Sequence, residues 1–185
     1  MTLSYQTKIN GNDTYFVEKI IASIHYENKI GFELNEFLGL YYLLDYRTKQ
    51  DFINTIISYE KKNKKHTIRA DKKNRWKVGS KIHSKIWRGK PYNSPAIDFT
   101  PLLEVKNIQS FSIMYDTVDN QTLVTVFIDN KVFGSATLVN CKIESYSEHL
   151  KNLALNDGFD NVNEFLEYFS EDFYGKIIHW TDFAY

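Results

Sequence analysis

Residues 61–90, KKNKKHTIRADKKNRWKVGSKIHSKIWRGK, hold thirteen Lys and Arg against one acid, Asp71. The whole chain carries 23 bases and 23 acids, so this sixth of its length is about +12 and the remainder about −12. Within it, HTIR (66–69) has strand character, with Thr67 and Arg69 on one face and His66 and Ile68 on the other. Asp71–Asn74 reads as a loop. Ser80–Trp87 then alternates Ile82, Ser84 and Ile86 with Lys81, His83 and Lys85, a second strand. The stretch 89–101 contains all three prolines and is expected to be irregular.

Upstream, Thr2–Ile9 alternates as a short strand, and Asn10–Asp13 marks a turn in which Asp13 is placed to cap a helix. Phe16, Val17, Ile20, Ile21 and Ile24 form the stripe of that helix. Gly31 to Tyr46 is expected to be helical, and Thr48-x-x-Asp51 opens another helix with Phe52, Ile53, Ile56 and Ile57 on its apolar side. Lysines 61, 62, 64 and 65 stand at its end, where the helix dipole suits some of them. Downstream, strands are expected near Leu102–Ile108, Phe111–Tyr115, Thr122–Ile128 and Lys131–Val139, with a tight turn at Asp129-Asn130. Ser147 caps a helix carrying Leu150, Leu153 and Ala154, with Gly158 as the left-handed residue after its end. Asp160 caps the next, Gly175 ends the helical region, and Lys176–Phe183 reads as a closing strand. Central strands flanked by helices, without βαβ alternation, indicate an α+β chain built on a small barrel.

Composition limits the functions open to it. At 185 residues, 43% hydrophobic and 16% aromatic, the chain has material for a real core. A single cysteine, Cys141, excludes an internal disulfide and a Cys-based zinc site, and fits a reducing cytoplasm. No apolar run approaches the ~20 residues of a membrane helix, and no signal peptide is evident, so neither membrane nor secretion is expected. The five histidines lack metal-ligand spacing, and neither a metal nor a cofactor is expected. The lysines at 72, 73, 77, 81, 85 and 90 as a set suit phosphate contact, and Lys72, Lys73, Arg75 and Lys77 are the cations beside the motif expected to bind the ligand. Trp76 offers either a stacking face for a base or a core side chain. Arg69 with Asp71 offers either a ligand contact or a structural pair, and His66 is placed to orient a ligand. The acidic end of the chain, with nine acids and two bases over 143–185, offers the cations an internal or dimeric alternative.

Three stretches, TYFVEKI (14–20), HTIRADKKNRWKVGSKIH (66–83) and LALNDGFDNVNEFLEYF (153–169) with GKIIHWTDF (175–183), resemble the ASCH domains of the PUA-like superfamily, specifically a subgroup common in bacterial and phage genomes. The resemblance covers roughly 1–24 and 64–185. It implies a six-stranded β-barrel with flanking helices and a cleft for RNA or a nucleoside-like ligand. Some small members are amidohydrolases that remove the acetyl group from N4-acetylcytidine with a Lys and a Thr of a K-x-x-T-I-R motif and a C-terminal Glu. Carried across, the Lys falls on Lys64, the Thr on Thr67 and the acid on Asp157, one methylene shorter than Glu. Residues 25–63 stand where the family has a few residues. They form a helical insertion in what is otherwise one domain, and a protein-partner surface is the third reading. Monomer and homodimer are both compatible with the sequence.

Overall fold

The apolar stripe at 16, 17, 20, 21 and 24 does what its spacing requires. In a computed structural model, which describes residues 1–27, 37, 39–90 and 92–185, it forms helix α1 (Phe16–Glu27) with Val17, Ile20, Ile21 and Ile24 at 0–1% exposure. Each such side chain contributes roughly 1.5–3 kcal/mol when taken from water. Asp13 does not cap this helix. It pairs with Lys8 (3.5 Å) in a two-rung hairpin of β2 (Lys8–Ile9) and β3 (Asn12–Asp13), and the Thr14 hydroxyl takes the Phe16 N–H instead.

Strand β1 (Thr2–Ser4) runs parallel to β5 (Lys81–Trp87), whose alternation buries Ile82, Ser84 and Ile86 as expected. The other edge of β5 takes β6 (Ala96–Asp98), a short strand inside the proline-containing loop, and β7 (Leu103–Glu104). The larger sheet is antiparallel, in the order β11 (Lys142–Tyr146), β10 (Lys131–Val139), β9 (Gln121–Ile128), β8 (Asn107–Val118), β12 (Phe173–His179) and β4 (His66–Arg69). It curls into a half-barrel. The expected strand near 102–108 is split, because Val105 turns aside to exchange hydrogen bonds with Gly79 and Ser80 (2.9 Å each). Lys106 N–H then donates to the His179 carbonyl at 2.8 Å, so the two sheets meet at this joint.

The hairpin turn sits at Asp129-Asn130, both left-handed (φ 51° and 62°), the backbone that a two-residue connection demands. Helix α3 (Lys49–Ser58) opens on Thr48, whose side chain accepts from Asp51 N–H, and buries Phe52 and Ile56. Helix α4 (Glu148–Asn156) opens on Ser147. Helix α5 (Val162–Tyr168) is capped by Asn161 rather than Asp160, since it is the Asn161 side chain that accepts the Glu164 N–H. Gly175 lies inside β12, not at its border, because β12 begins at Phe173 to complete the ladder with β8. Most of the helix expected over 31–46 falls on residues outside the described set; within it, α2 (Leu40–Leu43) is one turn long. Among the described residues five helices flank the strands, and none is long and apolar enough to cross a membrane.

Candidate functional site

Lysine is rarely buried, because removing an ammonium from water is costly unless partners replace the lost hydration. Lys64 is 1% exposed. Its backbone is fixed from both sides: Lys64 N–H donates to the Lys19 carbonyl of α1 (3.1 Å), and Lys65 N–H donates to the Asn156 carbonyl of α4 (2.9 Å). The basic segment is thereby threaded between two helices, and the Lys64 stem points at the C-terminal end of α4. There Nζ donates to Asp157 Oδ1 at 2.6 Å and to the Asp157 carbonyl. The Phe16 ring lies 4.7 Å from the ammonium. Gly158, at φ 91°, supplies the left-handed turn after α4, and a Cβ there would stand 2.9 Å from Lys64 Cδ. A second buried lysine, Lys19, donates to the Gly158 carbonyl (2.8 Å) and to Asp160 (2.7 Å). Two cations therefore meet the negative end of one helix dipole.

His66 continues the cluster. Its Nδ1 lies 3.6 Å from Asp157 Oδ1, just past ordinary hydrogen-bond reach, and its Nε2 is 2.8 Å from the Tyr185 hydroxyl, which also receives Asn156 Nδ2 at 3.2 Å. A Tyr O–H donating to Nε2 leaves the proton of neutral His66 on Nδ1, facing the carboxylate. His179, beside it with ring centroids 5.1 Å apart, has neither nitrogen hydrogen-bonded among the described residues.

These placements shift the titrations. Burial pushes Lys64 down to about 8, with the Asp157 charge opposing the fall. Burial would raise Asp157, but the Lys64 charge and the His66 contact outweigh it and hold the carboxyl below its usual range. Burial also lowers both histidines, His179 to about 3, so both are neutral at pH 7.

Thr67 is 1% exposed on β4, opposite Ile178, and its hydroxyl makes no hydrogen bond among the described residues, to Lys64 and Asp157 included. The structure brings Lys64, Asp157 and His66 together; Thr67 is their neighbour in sequence without a bond to them. Arg69, on the same strand face as Thr67, donates to the Ser4 carbonyl (3.2 Å) and lies 5.4 Å over the Tyr5 ring. The Tyr5 hydroxyl itself is buried without a partner among the described residues.

Arg69 and Asp71 do not pair. Asp71, its side chain 1% exposed, accepts the backbone N–H groups of Arg75 (2.9 Å) and Trp76 (3.0 Å) and meets Lys176 at 3.4 Å. Those bonds to its own loop, with Lys176 beyond them, hold its carboxyl below the usual range although burial opposes them. Lys176 also donates to the Asn74 side chain. Trp76 is 4% exposed in the core, so it presents no face on which a base can stack. Lys72, Lys73, Arg75 and Lys77 are exposed around this braced loop, and none has a carboxylate within ion-pair distance among the described residues. Sequence reasoning singled out neither Lys19, Tyr185 nor Tyr5; the first two converge on the α4 terminus only through bonds that span 139 and 29 residues of chain. Searches of protein-family models, of curated proteins and of solved structures find no match to this chain.

Proposed function

We propose that the chain binds RNA or a nucleoside-like ligand, with the half-barrel serving as an ASCH/PUA-like barrel and the 71–77 loop as its phosphate-contacting edge. The supporting observation is a set of four exposed, uncompensated cations, Lys72, Lys73, Arg75 and Lys77, on a loop tied down by Asp71, Lys176 and Asn74. Pre-fixed cations lose little freedom on meeting phosphates, and each neutralised phosphate releases counterions. A short single-stranded RNA is therefore expected to bind with an affinity that falls as salt rises. Reversing Lys72, Lys73 and Lys77 to Glu is expected to flatten the log K against log salt slope by about 2, at ~0.7 for each phosphate no longer neutralised. A slope unchanged by the triple reversal, or an RNA that does not bind at low salt, would remove this reading.

The Lys64–Asp157 pair favours a second reading, an amidohydrolase for N4-acetylcytidine. In that reaction neutral Lys64 takes the Thr67 hydroxyl proton while Thr67 Oγ1 bonds to the acetyl carbon. The resulting intermediate collapses as the C–N4 bond breaks, and the proton passes through Asp157 to the departing N4 amine. Water then cleaves the acetyl-Thr67 ester to acetate, restoring the hydroxyl. Arg69 stands as the oxyanion donor. With Lys64 and Asp157 1% and 3% exposed, a nucleoside enters only if the surrounding chain opens. Because the reactive form is the neutral amine and its pKa is about 8, the rate is expected to climb roughly tenfold per pH unit below 8 and to level off above. Cytidine release followed across pH 6–10 checks this; a flat profile, or turnover untouched by Thr67→Ala and Lys64→Ala, excludes it.

A further inference from the structure

Glu18 is the one acid of α1's first turn, and it is 4% exposed. Its Oε1 accepts from the Tyr46 hydroxyl at 2.8 Å, yet no Lys, Arg or His lies within ion-pair distance of it among the described residues. The adjacent Lys19 is turned away to Asp160 and the Gly158 carbonyl. Burial raises the Glu18 carboxyl above its ordinary range, against its own backbone, Tyr46 and Lys19 and with Asp13 adding to the rise. An ionised buried carboxyl without a counter-cation costs stability, so such a group either takes up a proton or gains from a cation that reaches it, and in a cleft it is a functional-site candidate.

Glu18 does not face packed side chains alone. It lines a cavity of about 470 Å³, whose wall on one side is β5 and its end (Ile86–Gly89) and on the other Leu43–Tyr46 of the segment that precedes α3. Tyr15, Phe16, Tyr46 and Trp87 bring four aromatic residues to this space. Tyr15 holds φ 53° and Asp45 φ 59°, a left-handed backbone that side-chain-bearing residues seldom take and that costs of order 1 kcal/mol or more. Of the charges around the rim, Lys8 is matched by Asp13, while Asp45 and Arg88 have no ion-pair partner among the described residues. With Glu18 ionised, the lining sums to one negative charge.

We propose that this cavity binds a cationic N–H donor, a primary ammonium or guanidinium on a short aliphatic stem, with Glu18 as its counter-ion and the aromatic residues as its walls. A carboxylate in a partly desolvated site gains most from a charge-assisted hydrogen bond, and aromatic faces favour a cation over a neutral group. A phosphate or carboxylate ligand is disfavoured, because Glu18 would repel it. Apart from Phe16, which lines this cavity and also lies against the Lys64 ammonium, the site is separate from Lys64 and from the 71–77 loop, and neither Glu18 nor Trp87 contributes to them, so its test is distinguishable from RNA binding and from deacetylation. Residues 43–46 belong to the insertion, which gives that segment a role: it closes one side of a ligand cavity on α1.

Calorimetry with the full chain, using agmatine, spermidine and an N-acetyl-lysine-amide peptide, tests the proposal. At least one is expected to bind with Kd of about 1 mM or tighter. Preference for the peptide identifies a protein side chain as the source, and preference for agmatine or spermidine a free amine. Glu18→Gln is expected to weaken binding at least tenfold. Trp87→Ala, at a half-buried position where folding is not at risk, is expected to weaken it several-fold. In ¹³C NMR the Glu18 carboxyl is expected to titrate at lower pH when the cation is bound, and affinity to rise with pH as Glu18 ionises. Absence of binding by all three cations, equal binding by Glu18→Gln, or a Glu18 titration that does not move on addition of the bound cation would overturn it.

Discussion

Replacing Asp157 with alanine is expected to destabilise the fold by about 3–5 kcal/mol, the range for removing one partner of a buried ion pair. The loss is large because Lys64 stays behind: the residue is 1% exposed, its ammonium lies between the Phe16 ring and the α4 terminus, and no second carboxylate reaches it among the described residues. For a chain of this length the change corresponds to a fall in Tm of roughly 6–20 °C. Lys64→Met alone is expected to do less harm, since Asp157 still has His66 Nδ1 at 3.6 Å. Combining Lys64→Met with Asp157→Leu is expected to recover most of the loss, because two apolar groups of similar volume carry no desolvation penalty. Urea titrations of the wild type, Lys64→Met, Asp157→Leu and the pair of those two complete the cycle, with Asp157→Ala measured beside them. A double variant as unstable as the Asp157 variant would show that packing around Gly158, not charge, governs this corner. If the double variant is stable yet cannot release cytidine, the pair is kept for chemistry.

Gly175→Ala is the second large effect expected, about 2–3 kcal/mol, because overpacking at a backbone contact cannot be relieved by turning a side chain. A Cβ at 175 would stand 2.5 Å from the Arg69 carbonyl oxygen and 2.6 Å from the Phe173 ring. The ring can turn; the carbonyl belongs to β4, and moving it breaks the four-rung ladder that pairs Arg69, Ile68, Thr67 and His66 with β12. Amide hydrogen exchange is expected to rise first at residues 66–69. Exchange that rises uniformly, or a Tm within 1 °C of wild type, would contradict this account.

How far the sequence showed these features depends on how local their causes are. Helix α1 was legible because a stripe at 16, 17, 20, 21 and 24 needs no partner to be recognised. Thr48 and Ser147 were legible as caps for the same reason: cap and N–H lie three residues apart. Asp13 and Asp160 misled because capping residues compete locally, and Thr14 and Asn161 won at positions one residue away. Gly175 was read as a terminator, its usual use, whereas here it makes room for a neighbouring strand. At the site, the Lys64–Asp157 pairing followed only from the family resemblance. What no pattern showed was burial: Trp76 in the core, Thr67 enclosed, and Glu18 without a cation among the described residues are all decided by segments far away in the chain. The cavity between α1, β5 and residues 43–46 belongs to the same class, since its walls come from three separated stretches.

The Lys64–Asp157 contact spans 93 residues, and the β4 ladder is completed only by β12, near the other end of the chain. Such distant pairings slow folding, because loop-closure entropy is lost before contacts return it. During synthesis α1 and the β8–β11 meander have their own neighbours in hand early. Lys64 can meet Lys19 and Phe16 of α1 at once, but its carboxylate partner is missing until residue 157 has emerged, and β4 stays an unpaired edge until 173–179 follow. A nascent chain thus carries its most basic segment open to solvent, and to polyanions around it, until residues 157–179 have emerged.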